Sequence, residues 1–413
     1  MKNLDPNPHN PRHVVLALDQ IYQSSPELWN QTQTILLESA VGRTLAQDIF
    51  SDREAPPFHR SAMDGIAIAH QDWNAGHRQF TSLGILAAGL DGKEFTQKKA
   101  VAPSPSCIEI MTGAAVPPGF DTVVRYEDLT KTTDGFQVLS NLTQLEVGKN
   151  IHPQGLDYSS GQKLLSKGTV LLATTVAVLA TCGYSTIQVY KKPRVLILST
   201  GSELVPIDSK PLPYQIRNSN IYALQYECEA WKIGEVETLH VKDDQKSIKN
   251  ILQRALDTKE VIILSGGVSM GLFDYVPTIL KELGVIIRIH GVNQKPGKPL
   301  LVGTQKGQII LGLPGNPVSC LVNLRRYLIP LLNPAGQPLS VTPPNPITPL
   351  KFMTNFPAVK FLRREHQFST ISGNGSGDFY HLVGSDGFVE VPPLSDPDHD
   401  NKTYNFYPWG GIL

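Results

Sequence analysis

VIILSGGVSMGLFD, running from Val261 to Asp274, is the stretch on which the fold turns. Val261 to Leu264 is a run of β-branched and aliphatic residues, the pattern of a strand covered on both faces. It stops at Ser265, Gly266, Gly267, Val268, Ser269, Met270 and Gly271. Val276, Ile279, Leu280 and Leu283 then recur at helical spacing, and Gly284 is placed to close the helix. A strand that delivers a glycine turn to a helix lets backbone amides converge on an anion. Gly266 and Gly267, having no side chains, allow close approach of a phosphate and positive φ. No GK[ST] follows, so this is not a P-loop. Asp274, just past the turn, either holds a cation beside the anion or caps the helix.

Outward from this stretch the chain keeps a strand–helix rhythm. Lys191-Lys192-Pro193 marks a boundary, after which Arg194 to Thr200 reads as a strand, Asn218 to Trp231 as a helix and Glu235 to Val241 as a strand. A helix over Asp244 to Leu256 precedes the central strand. Val285 to His290, Leu300 to Gly303 and Ile309 to Leu313 read as further strands, and Val318 to Leu332 as a helix. This alternation predicts an α/β domain with a doubly wound, largely parallel sheet, in which ligands bind at the carboxyl ends of the strands. Three loops fall at such ends: TGSEL (200–204), the Gly-Gly turn and LPGNP (313–317).

Upstream, residues 14–22 have the pattern of an amphipathic helix. In DREAPPFHRSAMDGIAIA, Pro56 and Pro57 stiffen the approach to a loop that presents Ser61, Met63 and Asp64. Taken alone, Asp64-Gly65 is merely a turn. Residues 80–150 alternate short strands and turns, with a hairpin signal at Asp134-Gly135, and predict a small β-rich domain. Residues 171–182 read as an apolar helix stopped by Gly183. Beyond residue 333 a proline-dense linker leads to short strands, expected to form a small β-barrel or sandwich.

The 413 residues suggest two to four domains, and 37 basic against 37 acidic residues give no global charge for nucleic acid or an acidic membrane. Cys107, Cys182, Cys228 and Cys320 are scattered, without metal-ligand spacing, which predicts reduced and mostly buried thiols. MKNLDPNPHNPRH has no apolar core of a signal peptide, and the longest apolar run is too short to span a bilayer. These features predict a soluble, cytoplasmic protein.

The loops together offer carboxylates (Glu203, and Asp243-Asp244, one of which is expected to cap the next helix), a basic turn (Lys295, Gly297, Lys298) and a rigid turn in which Pro314 and Pro317 bracket Gly315-Asn316. Mg²⁺ commonly binds one or two carboxylates plus substrate phosphates. The set therefore points to a phosphorylated, metal-assisted substrate, although any one of these residues alone reads as a cap or a solvated turn.

RSAMDG (60–65), MTGA (111–114), TGSEL, GGVSMG with Asp274, KPGKP and LPGNP occur in the order found in the molybdopterin molybdenumtransferases, and the chain resembles that family, which includes the E-domain of gephyrin, over residues 10–410. The resemblance implies an L-shaped dimer of four-domain subunits. Residues 1–45 and 151–189 would form a discontinuous domain, 46–150 a β-rich insert, 190–333 a molybdopterin-binding α/β domain and 334–413 a C-terminal β-barrel. It implies molybdenum insertion into adenylylated molybdopterin, with molybdate as co-substrate, release of AMP, Mg²⁺ as cofactor and a molybdopterin adenylyltransferase as substrate donor. Carried over by motif, Asp64, Thr112, Glu203, Asp243 and Asp274 would be catalytic. Asp64 and Thr112 would come from the insert, which in this family meets the other subunit's central domain. Asp157, Ser265, Gly266, Gly267, Ser269, Lys295, Lys298, Pro314 and Pro317 would bind substrate, and Asp243 and Asp274 would hold the metal. Two positions depart from the family pattern: His152, often Arg, and Gly271-Leu272, often Gly followed by Asp or Glu. Two other readings are a nucleotide-binding hydrolase using the α/β domain alone, which leaves RSAMDG and MTGA unexplained, and a non-enzymatic scaffold, for which no long linker or partner domain is present.

Overall fold

The computed structural model describes residues 9–102, 105–269, 274–342, 347–362, 367–396 and 403–410. The chain divides into two compact units, Met1–Gln31 with Lys191–Leu413, and Thr32–Tyr190.

The first unit is built on a six-stranded sheet. Its strands are β1 (Arg194–Thr200), β2 (Glu235–Val241), β3 (Val261–Ser265), β4 (Ile286–His290), β5 (Leu301–Gln305) and β6 (Gln308–Leu313), in the order β2-β1-β3-β6-β5-β4. β2, β1, β3 and β6 are parallel. β5 alone runs the other way, antiparallel to both β6 and β4, so β4 points with the other four and the sheet is largely parallel as expected, with one reversed strand. The reason is local: Lys306 and Gly307 both take positive φ (48° and 81°) between paired Gln305 and Gln308. That two-residue turn sends the chain straight back as a hairpin instead of into a crossover helix.

β3 sits in the middle of the sheet with every residue buried, which is why its sequence is wholly apolar up to Ser265. Its side chains alternate between two cores. Val261 and Ile263 join Val195, Ile197, Ile309 and Leu311 on one face; Ile262 and Leu264 join Leu196, Leu198 and Ile310 on the other. Helices Asn220–Ala230, Pro317–Asn323 and Pro11–Gln23 cover the first face, and helices Gln245–Thr258 and Val276–Glu282 the second. Asp244, not Asp243, caps Gln245–Thr258 by accepting from Ser247 N at 2.8 Å. The helix from Pro317 passes through a π-helical turn at Leu324–Leu328 before ending at Leu332.

Pro11–Gln23, capped by Asn10, buries Val14, Leu18 and Ile21 in the α/β core. The reading that grouped residues 1–45 with 151–189 is thus corrected for this helix, because its apolar stripe is spent on the sheet. Thr32–Leu36 does pair with the later segment, antiparallel to Thr186–Tyr190, and Thr44 and Leu45 bridge to Val170 and Val189.

The C-terminal strands form one antiparallel sheet in the order Leu339–Val341, Tyr404–Pro408, Gly387–Glu390, Ala358–Leu362, Gln367–Thr370. Among the described residues its first and last strands do not pair, so it is an open sheet where a closed barrel or sandwich was expected. Arg325, fully buried, donates from Nε to Pro408 O at 2.6 Å and from Nη1 to Gly336 O at 2.8 Å, which ties this sheet to the helix beneath.

The second unit contains a six-stranded mixed sheet, ordered Thr122–Arg125, Gly65–Ile68, Ser106–Ile110, Gln79–Leu86, Gly135–Val138, Leu129–Lys131. The Asp134-Gly135 hairpin forms as the sequence predicts. A helix at Lys93–Val101, which the sequence did not suggest, connects two parallel neighbours. It buries only Phe95, so no apolar stripe announces it. Ala173–Thr181 is the expected apolar helix, and Gly183 follows it at φ 79°.

Candidate functional site

The carboxyl ends of β1, β2, β3 and β6 share one edge because those strands are parallel. β4 ends there too: His290 is level with Leu301, Leu301 with Gly312, and Gly312 with Leu264. Strand order thus gathers the loops that begin at residues 201, 242, 266, 291 and 314.

At the centre stands the glycine turn. Ser265 is buried, and Gly266 and Gly267 take φ of 91° and 66°. A Cβ on Gly266 would lie 2.5 Å from Thr200 O, and one on Gly267 3.0 Å from Thr200 Oγ1 and 3.1 Å from Val276 Cγ2. No other residue type fits this packing of turn against strand end. Gly266 N donates to Leu313 O at 3.1 Å, and His290 Nε2 donates to Val268 O at 3.0 Å, so the turn is held from both neighbouring loops. Ser269 is exposed at its rim, and Asp274 is partly buried. The Gly271-Leu272 departure lies outside the described residues. The N-cap position of Val276–Glu282 is Tyr275, whose own side chain makes no capping hydrogen bond.

Asp243 and the TGSEL loop are tied together. Ser202 N donates to Asp243 Oδ2 at 2.9 Å, and Asp243 N donates to Ser202 Oγ at 3.2 Å. Asp243 Oδ1 meets no protein donor among the described residues, which leaves it for a cation. Glu203 stands in the same loop, with both carboxylate oxygens 2.9 Å from where a Gly201 Cβ would be. No cluster of three or more His, Cys, Asp or Glu occurs among the described residues. One or two carboxylates fit Mg²⁺ when substrate phosphates complete its shell, and they do not fit a metal bound by protein alone.

Lys295 and Lys298 are exposed on a loop that is rigid underneath. Buried Gln294 donates from Nε2 to Pro296 O at 2.9 Å and to Asn323 Oδ1 at 2.6 Å, and accepts from Tyr327 OH. Asn323 Nδ2 donates to Gly297 O at 3.2 Å. Two cations are thereby held outward on a fixed base. Pro314 to Pro317 form the turn before helix Pro317–Asn323, whose N-cap Asn316 donates to Ser376 Oγ at 2.9 Å.

In the second unit, RSAMDG and MTGA come together. Asp64 Oδ1 accepts from Thr112 N at 2.6 Å, and this amide holds the exposed carboxyl below its ordinary value. Ser61 N donates to Ala114 O, and Gly113 N to Ser61 O, both at 2.9 Å. Asp157 is exposed, its N–H bonded to Ala55 O at 2.8 Å. His152 Nδ1 lies 3.1 Å from Arg60 Nη2, so a cation stands beside the position where the family often has Arg.

The sequence missed the residues beneath the loops: Asn220, Cys320, Gln294 and Asn323. Asn220 donates to Gly315 O, and Cys320 Sγ to Pro314 O. Their only signal was polarity at positions facing a core, on helices for Asn220, Cys320 and Asn323 and on a short strand for Gln294. A cavity of ≈ 770 Å³ lies elsewhere in the first unit, against Arg12, Asp19, Arg326, Glu390 and Tyr407. None of the predicted site residues lines it.

The fold and its loop-bearing edge, with a glycine turn, lysines on a braced loop and the acids Glu203, Asp243 and Asp274, define an α/β protein with ligand-sized loops at its carboxyl edge, and comparison with known proteins gives the family. Residues 12–183 match the MoeA N-terminal region (domain I and II), and residues 196–334 match a probable molybdopterin binding domain. The chain is 35% identical over 401 residues to a molybdopterin molybdenumtransferase of Synechocystis sp., covering 96% of this chain and 99% of that protein. It is 32% identical to one of Bacillus subtilis, covering 73% and 70%. A crystal structure of a molybdopterin biosynthesis MoeA protein from Pyrococcus horikoshii superposes with TM-score 0.74 at 25% identity, covering 94% of this chain and 97% of that one. The chain belongs to the molybdopterin molybdenumtransferase family. Among the described residues no helix is long and apolar enough to cross a membrane.

Proposed function

We propose that this protein inserts molybdenum into adenylylated molybdopterin, with molybdate as co-substrate and release of AMP, at the strand edge built from Glu203, Asp243, Ser265–Ser269, Asp274, Lys295, Lys298, Pro314 and Pro317. The observation that supports the reading most is the gathering of four family motifs, far apart in sequence, on one sheet edge. The amides of the glycine turn bind phosphate oxygens, and Lys295 and Lys298 offset their charge. Asp243 and Asp274 would hold Mg²⁺, which when bound stabilises charge on the phosphates. Molybdate exchanges one oxo group for the two dithiol sulfurs, the oxygen leaving with the two thiol protons as water. Hydrolysis of the phosphoanhydride then frees AMP and the phosphate monoester of the molybdenum-loaded molybdopterin, and the lysines and turn amides stabilise the charge that develops on the departing group.

The reading extends to a homodimer, a molybdopterin adenylyltransferase as donor of the substrate, and action in the cytoplasm. It also includes the family's four-domain division, with the first helix assigned to the α/β part. Asp64, Thr112 and Asp157 are proposed as functional residues of the second unit. The test is incubation of the purified protein with adenylylated molybdopterin, molybdate and Mg²⁺. AMP release matched by formation of active cofactor is expected. Turnover of simple dinucleotides without cofactor formation would replace this reading with a hydrolase.

A further inference from the structure

We propose that Asn220 is a positioning residue: from beneath the Pro314–Asn316 turn it sets the direction in which two backbone amides face the substrate. The inference deepens the strand-edge reading and rests on it. Asn220 opens helix Asn220–Ala230, and its Nδ2 donates to Gly315 O at 2.7 Å and to Ser265 Oγ at 3.3 Å. The same nitrogen lies 3.7 Å from Cys320 Sγ. Cys320 in turn donates to Pro314 O at 2.6 Å. Two successive carbonyls are therefore drawn to the buried side by two side chains that touch each other.

The consequence follows from peptide geometry. Neither peptide bond of this turn is cis, and in a trans peptide the N–H points opposite to the preceding C=O. With Pro314 O and Gly315 O turned inward, the N–H groups of Gly315 and Asn316 turn to the open side. Neither donates to a protein acceptor among the described residues. A Cβ built on Gly315 meets nothing within 4 Å, so that side of the turn is accessible. Two adjacent amides with one direction form a small anion-binding concavity. Asn220's orientation is not interchangeable, because a flipped amide would set oxygen against Gly315 O. Its Oδ1 is buried without a partner, so the NH₂ contacts alone fix the side chain.

Asn220→Asp preserves shape and replaces the donor by an acceptor that repels Gly315 O. Because residue 220 is the first of its helix, a carboxylate there favours the helix, and folding is retained. N220D is expected to unfold in one cooperative transition at a somewhat lower temperature, while KM for adenylylated molybdopterin rises about tenfold, equivalent to ~1.4 kcal/mol, with kcat nearly unchanged. Cys320→Ala is expected to move KM in the same direction, and Cys320→Ser, which restores a donor, to bring it back. These two variants carry the test should N220D fail to fold. If Lys295→Gln/Lys298→Gln weakens binding but N220D and Cys320→Ala bind as wild type, the positioning role is wrong and the strand-edge reading stands. Wild-type binding by the lysine variant as well would overturn the strand-edge reading itself.

Discussion

Asp243 and Asp64 each accept a backbone amide, from Ser202 at 2.9 Å and from Thr112 at 2.6 Å, yet the two regions that hold them are assembled in opposite ways. Asp64 meets Thr112 because two neighbouring antiparallel strands, Gly65–Ile68 and Ser106–Ile110, begin and end side by side. One strand pairing makes that contact. Asp243 belongs to an edge that only a whole parallel sheet can gather, with β1, β2, β3 and β6 each delivering one loop. The difference teaches where each region is vulnerable. The second unit's pair depends on one register, whereas the α/β edge depends on core packing and on polar side chains under its loops.

The largest effect is expected at Asp274. If the edge carries the chemistry, Asp274→Asn retains the shape and binds adenylylated molybdopterin, but releases AMP about 100-fold more slowly, with partial rescue by excess Mg²⁺. Near-normal turnover would break the proposed contrast by leaving the α/β acids without a metal role.

Gly266→Ala comes next. Its Cβ would meet Thr200 O at 2.5 Å in a backbone with positive φ, so stability should fall by roughly 1–3 kcal/mol in denaturant unfolding. Gly113→Ala, whose Cβ would meet only Ala88 at 3.5 Å, carries the φ penalty without the clash and should lose less. Equal losses would show that the edge is packed no more tightly than the Asp64 turn.

Replacing Lys295 and Lys298 together with Gln should weaken substrate binding about tenfold at low salt, and the difference should shrink as salt screens the exposed charges. A loss that does not respond to salt would mean that the loop, held by Gln294, Asn323 and Tyr327, had itself been disturbed.

The smallest effect concerns Asp64. Thr112 N–H lowers its folded pKa, so the charged form is favoured in the native state. The resulting contribution is complete above the ordinary Asp pKa and is lost as pH falls through the lower folded value. Carbon NMR titration should place the Asp64 midpoint below that of a free Asp, and Thr112→Pro, which deletes the amide, should bring it up. An unchanged midpoint in the proline variant would remove the amide as the cause.

Much of the α/β region was legible because burial on both faces leaves an unmixed signal: VIIL followed by Ser-Gly-Gly reads as a central strand and its turn. The reversal of β5 against β6 was not, since Lys306-Gly307 looks like any loop until both φ values are known. The helix Lys93–Val101 was hidden by having one buried residue, and the first helix was placed wrongly because amphipathicity does not say which core receives the stripe. Candidate acids, lysines and glycines stood out through the family motifs. Asn220 and Cys320 did not, because their work is done by contacts to backbone carbonyls that sequence spacing cannot display.

The central claim is that substrate occupies the strand edge of the α/β domain. Amide hydrogen exchange, followed at peptide resolution with and without adenylylated molybdopterin, tests it most directly. The account predicts slowed exchange in residues 265–269 and 314–318, with no change in the C-terminal sheet at 358–361. Unchanged exchange in both turns at saturating substrate would contradict it.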